Sequence, residues 1–136
     1  MLLGPWPASR SLIDAHYGVG PITSVAVWAQ LGDCRRFSRS MQVVRHTGLD
    51  VTVDQSDLHR GGGHLARQGP ATLRWALFEA GKCASRTTSP DRDYYQTVKN
   101  RSDGKLATLS MARKLSRRCY HTLRGVDPEV VYSLPA

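Results

Sequence analysis

Ser56, Arg60, Arg67 and Arg74 lie within nineteen residues of one another, around the consecutive glycines Gly61, Gly62 and Gly63. A hydroxyl among guanidinium groups suits phosphodiester chemistry, because the planar fork of arginine grips two phosphate oxygens at once. Three glycines in a row give up much backbone entropy and pack nothing, so a purely structural segment rarely keeps them. They allow a backbone to lie close against a ligand or to swing. A solvated loop with scattered charge is the plainer alternative. Other chemistries fit less well. His59 and His64 flank the glycines, but with the distant Cys34, Cys83 and Cys119 they form no familiar metal-ligand spacing. Asp54, Ser56, Asp57 and His59 crowd together without a Gly-x-Ser-x-Gly elbow, and no Gly-Lys-Ser/Thr follows the glycines as a phosphate-binding loop would require. The 11 acidic residues are too thinly spread to suggest a two-metal centre.

The elements that must position these residues read as helices. A chain of 136 residues is one domain by length. Residues 1–11 read as an irregular tail, with Ser9 or Ser11 capping a short helix to about Tyr17 and Leu12, Ile13 and Tyr17 on its inner side. Pro21 opens a second helix that Gly32 stops, with Ile22, Val25, Ala26, Ala29 and Trp28 as its inner stripe. Helix, Gly18-Val19-Gly20 turn, helix is the pattern of a helix-hairpin-helix. There Gly18, Gly20 and Thr23 would present backbone N–H groups to a phosphate; an ordinary αα-hairpin uses the same glycines for tight turning.

Ser38 or Ser40 caps a third helix to Thr47, ended by Gly48, with Met41, Val44 and Val43 inward. The β-branched run Val51, Thr52, Val53 predicts at most a short β-hairpin. Pro70 opens a helix to about Cys83, with Leu73, Ala76, Leu77, Ala80 and Ala84 inward and Arg74, Phe78 and Lys82 in the next row. A short helix over about 93–100 precedes the most regular element, about Lys105 to Arg124. Its apolar stripe is Leu109, Ala112, Leu115, Cys119 and Leu123, and no acidic residue occurs along it. Arg113, Lys114, Arg117, Arg118, His121 and Arg124 therefore predict a one-signed face, which repels itself unless an anion neutralises it. The fold class is mainly α, compact, with a glycine-rich loop.

A net charge of +8 and a pI near 9.9 favour a polyanion partner, DNA foremost. With 40% apolar residues and a mean hydropathy of −0.37, the chain reads as a soluble, membrane-free, cytoplasmic protein. Three widely spaced cysteines without a Cys-x-x-Cys read as reduced thiols.

Taken in order, Tyr17 to Thr23, Leu31-Gly32-Asp33, Arg36-Phe37, Gly48-Leu49, the Ser56 to Gly69 loop with Leu73-Arg74, and Ala112 to Leu115 form a pattern. It resembles the C-terminal transposase domain of the IS-one-ten type insertion sequences, the bridge-RNA-guided recombinases. The resemblance spans about Leu12 to Arg124. It implies a DNA recombinase domain over 12–124, with 125–136 as a loose tail, in which Ser56 attacks a DNA phosphodiester. It makes Arg60, Gly63, Arg67 and Arg74 part of the DNA-binding set, with Lys82, Arg113, Lys114, Arg117 and Arg118 beside them. Family members commonly carry Ser-Gly-Gly-Lys where this chain reads Ser56-Asp57-Leu58-His59, so the surroundings of the serine differ. The resemblance also implies a RuvC-like domain whose acidic residues hold magnesium. No such residues are recognisable here, so the expectation is a truncated member, inactive alone and holding no cofactor itself. Its implied partners are DNA, a guide RNA, and further copies or a RuvC-like domain in trans. A non-enzymatic helix-hairpin-helix DNA-binding module is the alternative.

Overall fold

The computed structural model describes residues 7–49, 51–52, 64–65 and 69–126. Six α-helices are built around the last, α6 (Gly104–Arg124). Asp103 starts it by accepting the Leu106 N–H at 2.8 Å, which satisfies one of the first-turn donors left open at any helix start. Ala107, Met111, Leu115, Cys119 and Leu123 recur every four residues along it, with Ala112 beside them, and all are buried. Against this stripe pack α1 (Pro7–Ala15), α3 (Ser40–Thr47), α4 (Ala71–Lys82) and α5 (Arg92–Arg101). The second helix, α2 (Pro21–Leu31), lies chiefly on α1 and α4. A mainly α fold is what the periodicity predicts.

Three local expectations need correction. First, α1 begins at Pro7, because proline is pre-set for a first helical position, where its missing N–H has no intrahelical partner in any case. Residues 7–11 are therefore helical, and Ser9 is buried inside the helix rather than capping it. Tyr17 faces outward, bonded through its hydroxyl to Thr88 at 2.6 Å.

Second, α2 has the predicted bounds but the opposite face. Ile22 is 72% exposed and Val25 38%, whereas Ser24, Val27 and Leu31 are buried. The helix is apolar nearly all round, so periodicity alone does not select a face. Ser24 fits inside because its hydroxyl donates to the Pro21 carbonyl at 2.8 Å, which removes the cost of an unpaired buried hydroxyl.

Third, α3 starts at Ser40, with the Ser38 and Arg39 N–H groups donating to the Gln42 side chain. Val43 and Val44 are buried, but Met41 is 40% exposed.

Val51 and Thr52 pair antiparallel with Leu65 and His64, the short hairpin contact predicted from the β-branched run. The chain returns to α4 at Gly69, whose φ is +148°. A Cβ there would overlap the His46 carbonyl oxygen at the end of α3, so only glycine allows this approach of the two backbones. The Arg74 guanidinium donates to the Gly69 carbonyl at 2.9 Å and ties the return to the first turn of α4. Among the described residues no helix is long and apolar enough to cross a membrane.

Candidate nucleic-acid interface

Arg113, Lys114 and Arg117 occupy positions i, i+1 and i+4 of α6, so they share one side of the helix. With Ser110 they form a wall of an open cleft of about 230 Å³. Met41 and Val44 of α3 and Tyr94 of α5 complete the lining. The cations have neutral partners. Arg117 Nε donates to Ser40 Oγ at 3.2 Å, and Arg113 Nη2 to Ser110 Oγ at 3.3 Å. The Lys114 ammonium stands 3.8 Å from the centroid of the Tyr94 ring, a cation–π contact that neutralises no charge. Among the described residues no carboxylate lines the cleft, although Asp91 lies within electrostatic reach of Lys114.

Arg118 and Arg124 of the basic face are committed to the fold, which corrects the expectation of a uniformly uncompensated surface. Arg118 makes a bidentate pair with Asp91, at 2.7 and 2.9 Å. The guanidinium holds the Asp91 carboxyl below the usual carboxylate range, against the opposing effect of its partial burial. Asp91 immediately precedes α5, so the anion comes from a neighbouring helix and not from α6 itself. Arg124 Nη1 donates to the Phe37 carbonyl at 2.7 Å and to the Tyr120 hydroxyl at 2.7 Å. It thereby fastens α6 to the turn before α3. His16 of the α1–α2 connection is bonded to Thr122 at 2.8 Å. Burial, then the nearby Arg118, lower its pKa and favour the neutral ring.

The remaining candidates are in separate places. Gly18, Gly20 and Thr23 line a hollow of about 340 Å³ with Glu79 and Arg86. Gly18 has φ +87°, and a Cβ on it would stand 2.8 Å from the Ala80 carbonyl oxygen; its conformation serves close packing on α4. Around Gly20 there is open space. Lys82 pairs with Glu79 at 3.0 Å, both well exposed, so its charge is largely offset locally. Arg74 belongs to a third groove, of about 290 Å³, with Trp75, Phe78 and Lys105. Ser56, Arg60, Gly63 and Arg67 lie outside the described residues, as do Asp57, Leu58 and His59.

Among the described residues no three His, Cys, Asp or Glu side chains converge as metal ligands. Burial pushes the Cys34 thiol up to about 11 and the Cys119 thiol up to about 12, values at which neither forms an appreciable thiolate at neutral pH.

Sequence reasoning missed Met41, Tyr94 and Asp91. The spacing of the third helix predicts Met41 inward, and the short helix over about 93–100 gives no reason to single out Tyr94. The one available signal was that Tyr94 and Met41 are large and apolar on short helices whose buried quota Tyr95, Val98, Val43 and Val44 already fill.

A helical domain with an open cationic cleft is the class these features define. The chain belongs to the transposase IS116/IS110/IS902 family, whose sequence model matches residues 10–96. It is similar to the "Insertion element IS116 uncharacterized 44.8 kDa protein" of Streptomyces clavuligerus, with 29% identity over 106 residues. That alignment covers 76% of this chain and 26% of the relative. It is similar also to the "Probable family 20 transposase" of Pseudomonas aeruginosa, 27% identical over 105 residues, covering 74% of this chain and 31% of that protein. The chain thus spans less than a third of the length of these curated relatives.

Proposed function

We propose that this chain is the part of an insertion-sequence transposase that grips DNA through the α3–α5–α6 cleft and contributes Ser56 as the nucleophile. The observation that carries the first half is the cleft itself. Three cations whose direct contacts among the described residues are neutral line an open cleft on a member of a transposase family. Such a wall attracts a polyanion by releasing the counterions condensed on it. The proposed working unit is residues 12–124; residues 127–136 lie outside the described residues.

The second half rests on the family resemblance around Ser56. In the reaction the Ser56 Oγ–phosphorus bond forms and the phosphorus–oxygen bond to one deoxyribose breaks. The departing sugar oxygen takes up a proton and the serine loses its own. A serine hydroxyl needs an activating base for this. The RuvC-like domain implied by the resemblance, with its magnesium, is the proposed source of that activation, whether in trans or in a longer chain. Nothing among the described residues is built to hold the ion, so no metal-borne step is assigned to them. A guide RNA and self-association are proposed on the same resemblance. The alternative, a non-enzymatic module anchored at Gly18 and Gly20, has less support, because the conformation of Gly18 serves close packing on α4.

The test is a denaturing gel after incubation of the chain with DNA, magnesium and a RuvC-like domain of a relative. The wild type should give a covalent protein–DNA adduct, and Ser56→Ala should bind the DNA equally well without forming one. An adduct that survives in Ser56→Ala removes the serine from the mechanism. DNA binding that is absent, or insensitive to salt, removes the whole reading.

A further inference from the structure

The lining of the α3–α5–α6 cleft divides into two chemistries. The cations are Arg113, Lys114 and Arg117, and the apolar part of the lining is the Met41 thioether, Val44 and the Tyr94 ring, one face of which Lys114 covers. Val44 is fully buried, but Met41 is 40% and Tyr94 38% exposed, so a methionine and an aromatic ring reach water in the same cleft as three cations. Charge alone would suffice to hold a duplex backbone, and a duplex riding on the cations would leave the apolar lining wet. Apolar and cationic groups in one small cleft match a nucleotide, which has a flat apolar face at one end and a phosphate at the other.

We infer that the cleft takes a single unpaired nucleotide, with its base against Met41 and Tyr94 and its flanking phosphates on Arg113 and Arg117. This rests on the reading that the cleft meets nucleic acid, and adds that it selects an unstacked base over a paired one. The size agrees. At about 230 Å³ the cleft lies below the roughly 300–1,000 Å³ of sites for drug-sized ligands, a size suited to a single base. The geometry is also partly prepared. Lys114 holds the Tyr94 ring by its ammonium, and the Ser110 and Ser40 hydroxyls hold Arg113 and Arg117 through one nitrogen each. The other guanidinium nitrogens have no acceptor among the described residues. Tyrosine and methionine contacts are sequence-tolerant, since every base has a π-face, so the site would recognise an unpaired position and not a particular letter.

The experiment uses the full chain and three duplexes of one sequence. One is fully paired, one carries a single bulged 2-aminopurine, and one carries a bulged abasic nucleotide at the same place. The 2-aminopurine bulge should bind about fivefold or more tighter than the abasic bulge, the low end of what one stacked base contributes. Its emission should fall on binding as the base stacks. Tyr94→Ala should bring the two bulges to equal affinity, and Tyr94→Phe should keep the difference. Arg117→Ala should weaken all three probes alike. Because Tyr94 is exposed, circular dichroism of Tyr94→Ala should match the wild type. Equal binding of the two bulges by the wild type overturns the inference and leaves the nucleic-acid reading standing. Failure to bind any of the three overturns both.

Discussion

Replacing Gly69 with alanine tests the way the chain returns from its glycine-rich stretch to α4. At φ +148° the backbone sits in a region that L side chains rarely adopt, and a strain of this kind costs about 1–3 kcal/mol. The new Cβ would also overlap the His46 carbonyl oxygen, which is backbone and cannot rotate away; overpacking of this sort costs about 1–3 kcal/mol more. Against this, alanine stiffens the unfolded chain and returns about 0.4–1 kcal/mol. The net loss is about 1–6 kcal/mol, and for a chain of this size it lowers the melting temperature by roughly 3 °C at the least and by 10 °C or more near the middle of the range. Gly20→Ala is the matched control. Gly20 has φ −98° and nothing within 4 Å of a built Cβ, so its melting should move by no more than about 2 °C. Thermal unfolding followed by circular dichroism reads both variants. A Gly69→Ala protein that melts within about 2 °C of wild type would refute the close approach of the return to α3.

Two further outcomes follow from charge and burial. Asp91→Asn breaks the bidentate pair with Arg118; because the arginine side chain is 38% exposed, screening reduces the loss to about 1 kcal/mol. The folded Asp91 pKa lies below its ordinary 3.8, so the pair's contribution is complete above about pH 4 and is lost as the pH falls through the folded value. Wild type should therefore lose more stability than Asp91→Asn on titration below pH 4, and equal losses would contradict the pairing. For the thiols, Cys34 and Cys119 are buried and protonated, and Cys83 is half-buried. A thiol reagent should label at most one cysteine per native chain and all three after denaturation. Rapid native labelling of two or three would contradict the packing around α6.

The parts of the fold that were legible are those where polar and apolar residues alternate sharply. Along α4 and the turn after it, Leu73, Ala76, Leu77, Ala80 and Ala84 are separated by Arg74, Glu79 and Lys82, and all five are buried as predicted. The bounds of α2 were equally plain from Pro21 and Gly32, yet its inner face was not. A helix rich in valine, alanine and isoleucine on every side leaves the choice to its neighbours, and α1 and α4 select the stripe of Ser24, Val27 and Leu31.

The cations of the cleft were visible as a run on α6, because their spacing is local. Their division into free and committed groups was not. Arg118 meets Asp91 from 27 residues away, and Arg124 meets the Phe37 carbonyl from 87 residues away. Met41 and Tyr94 join the cleft through the same kind of long-range packing, which no periodicity encodes.

The most direct test of the central claim is the salt dependence of binding to a DNA duplex. The logarithm of affinity should fall linearly with the logarithm of salt concentration, with a slope of about −0.9 for each phosphate neutralised. In the variant combining Arg113→Ala, Lys114→Ala and Arg117→Ala the slope should shrink by about 2–3, with each lost cation removing roughly one phosphate contact. Arg118→Ala, which removes a cation already paired with Asp91, should lower the melting temperature and leave the slope as it was. An undiminished slope in the triple variant would place the DNA elsewhere on the protein and contradict the account.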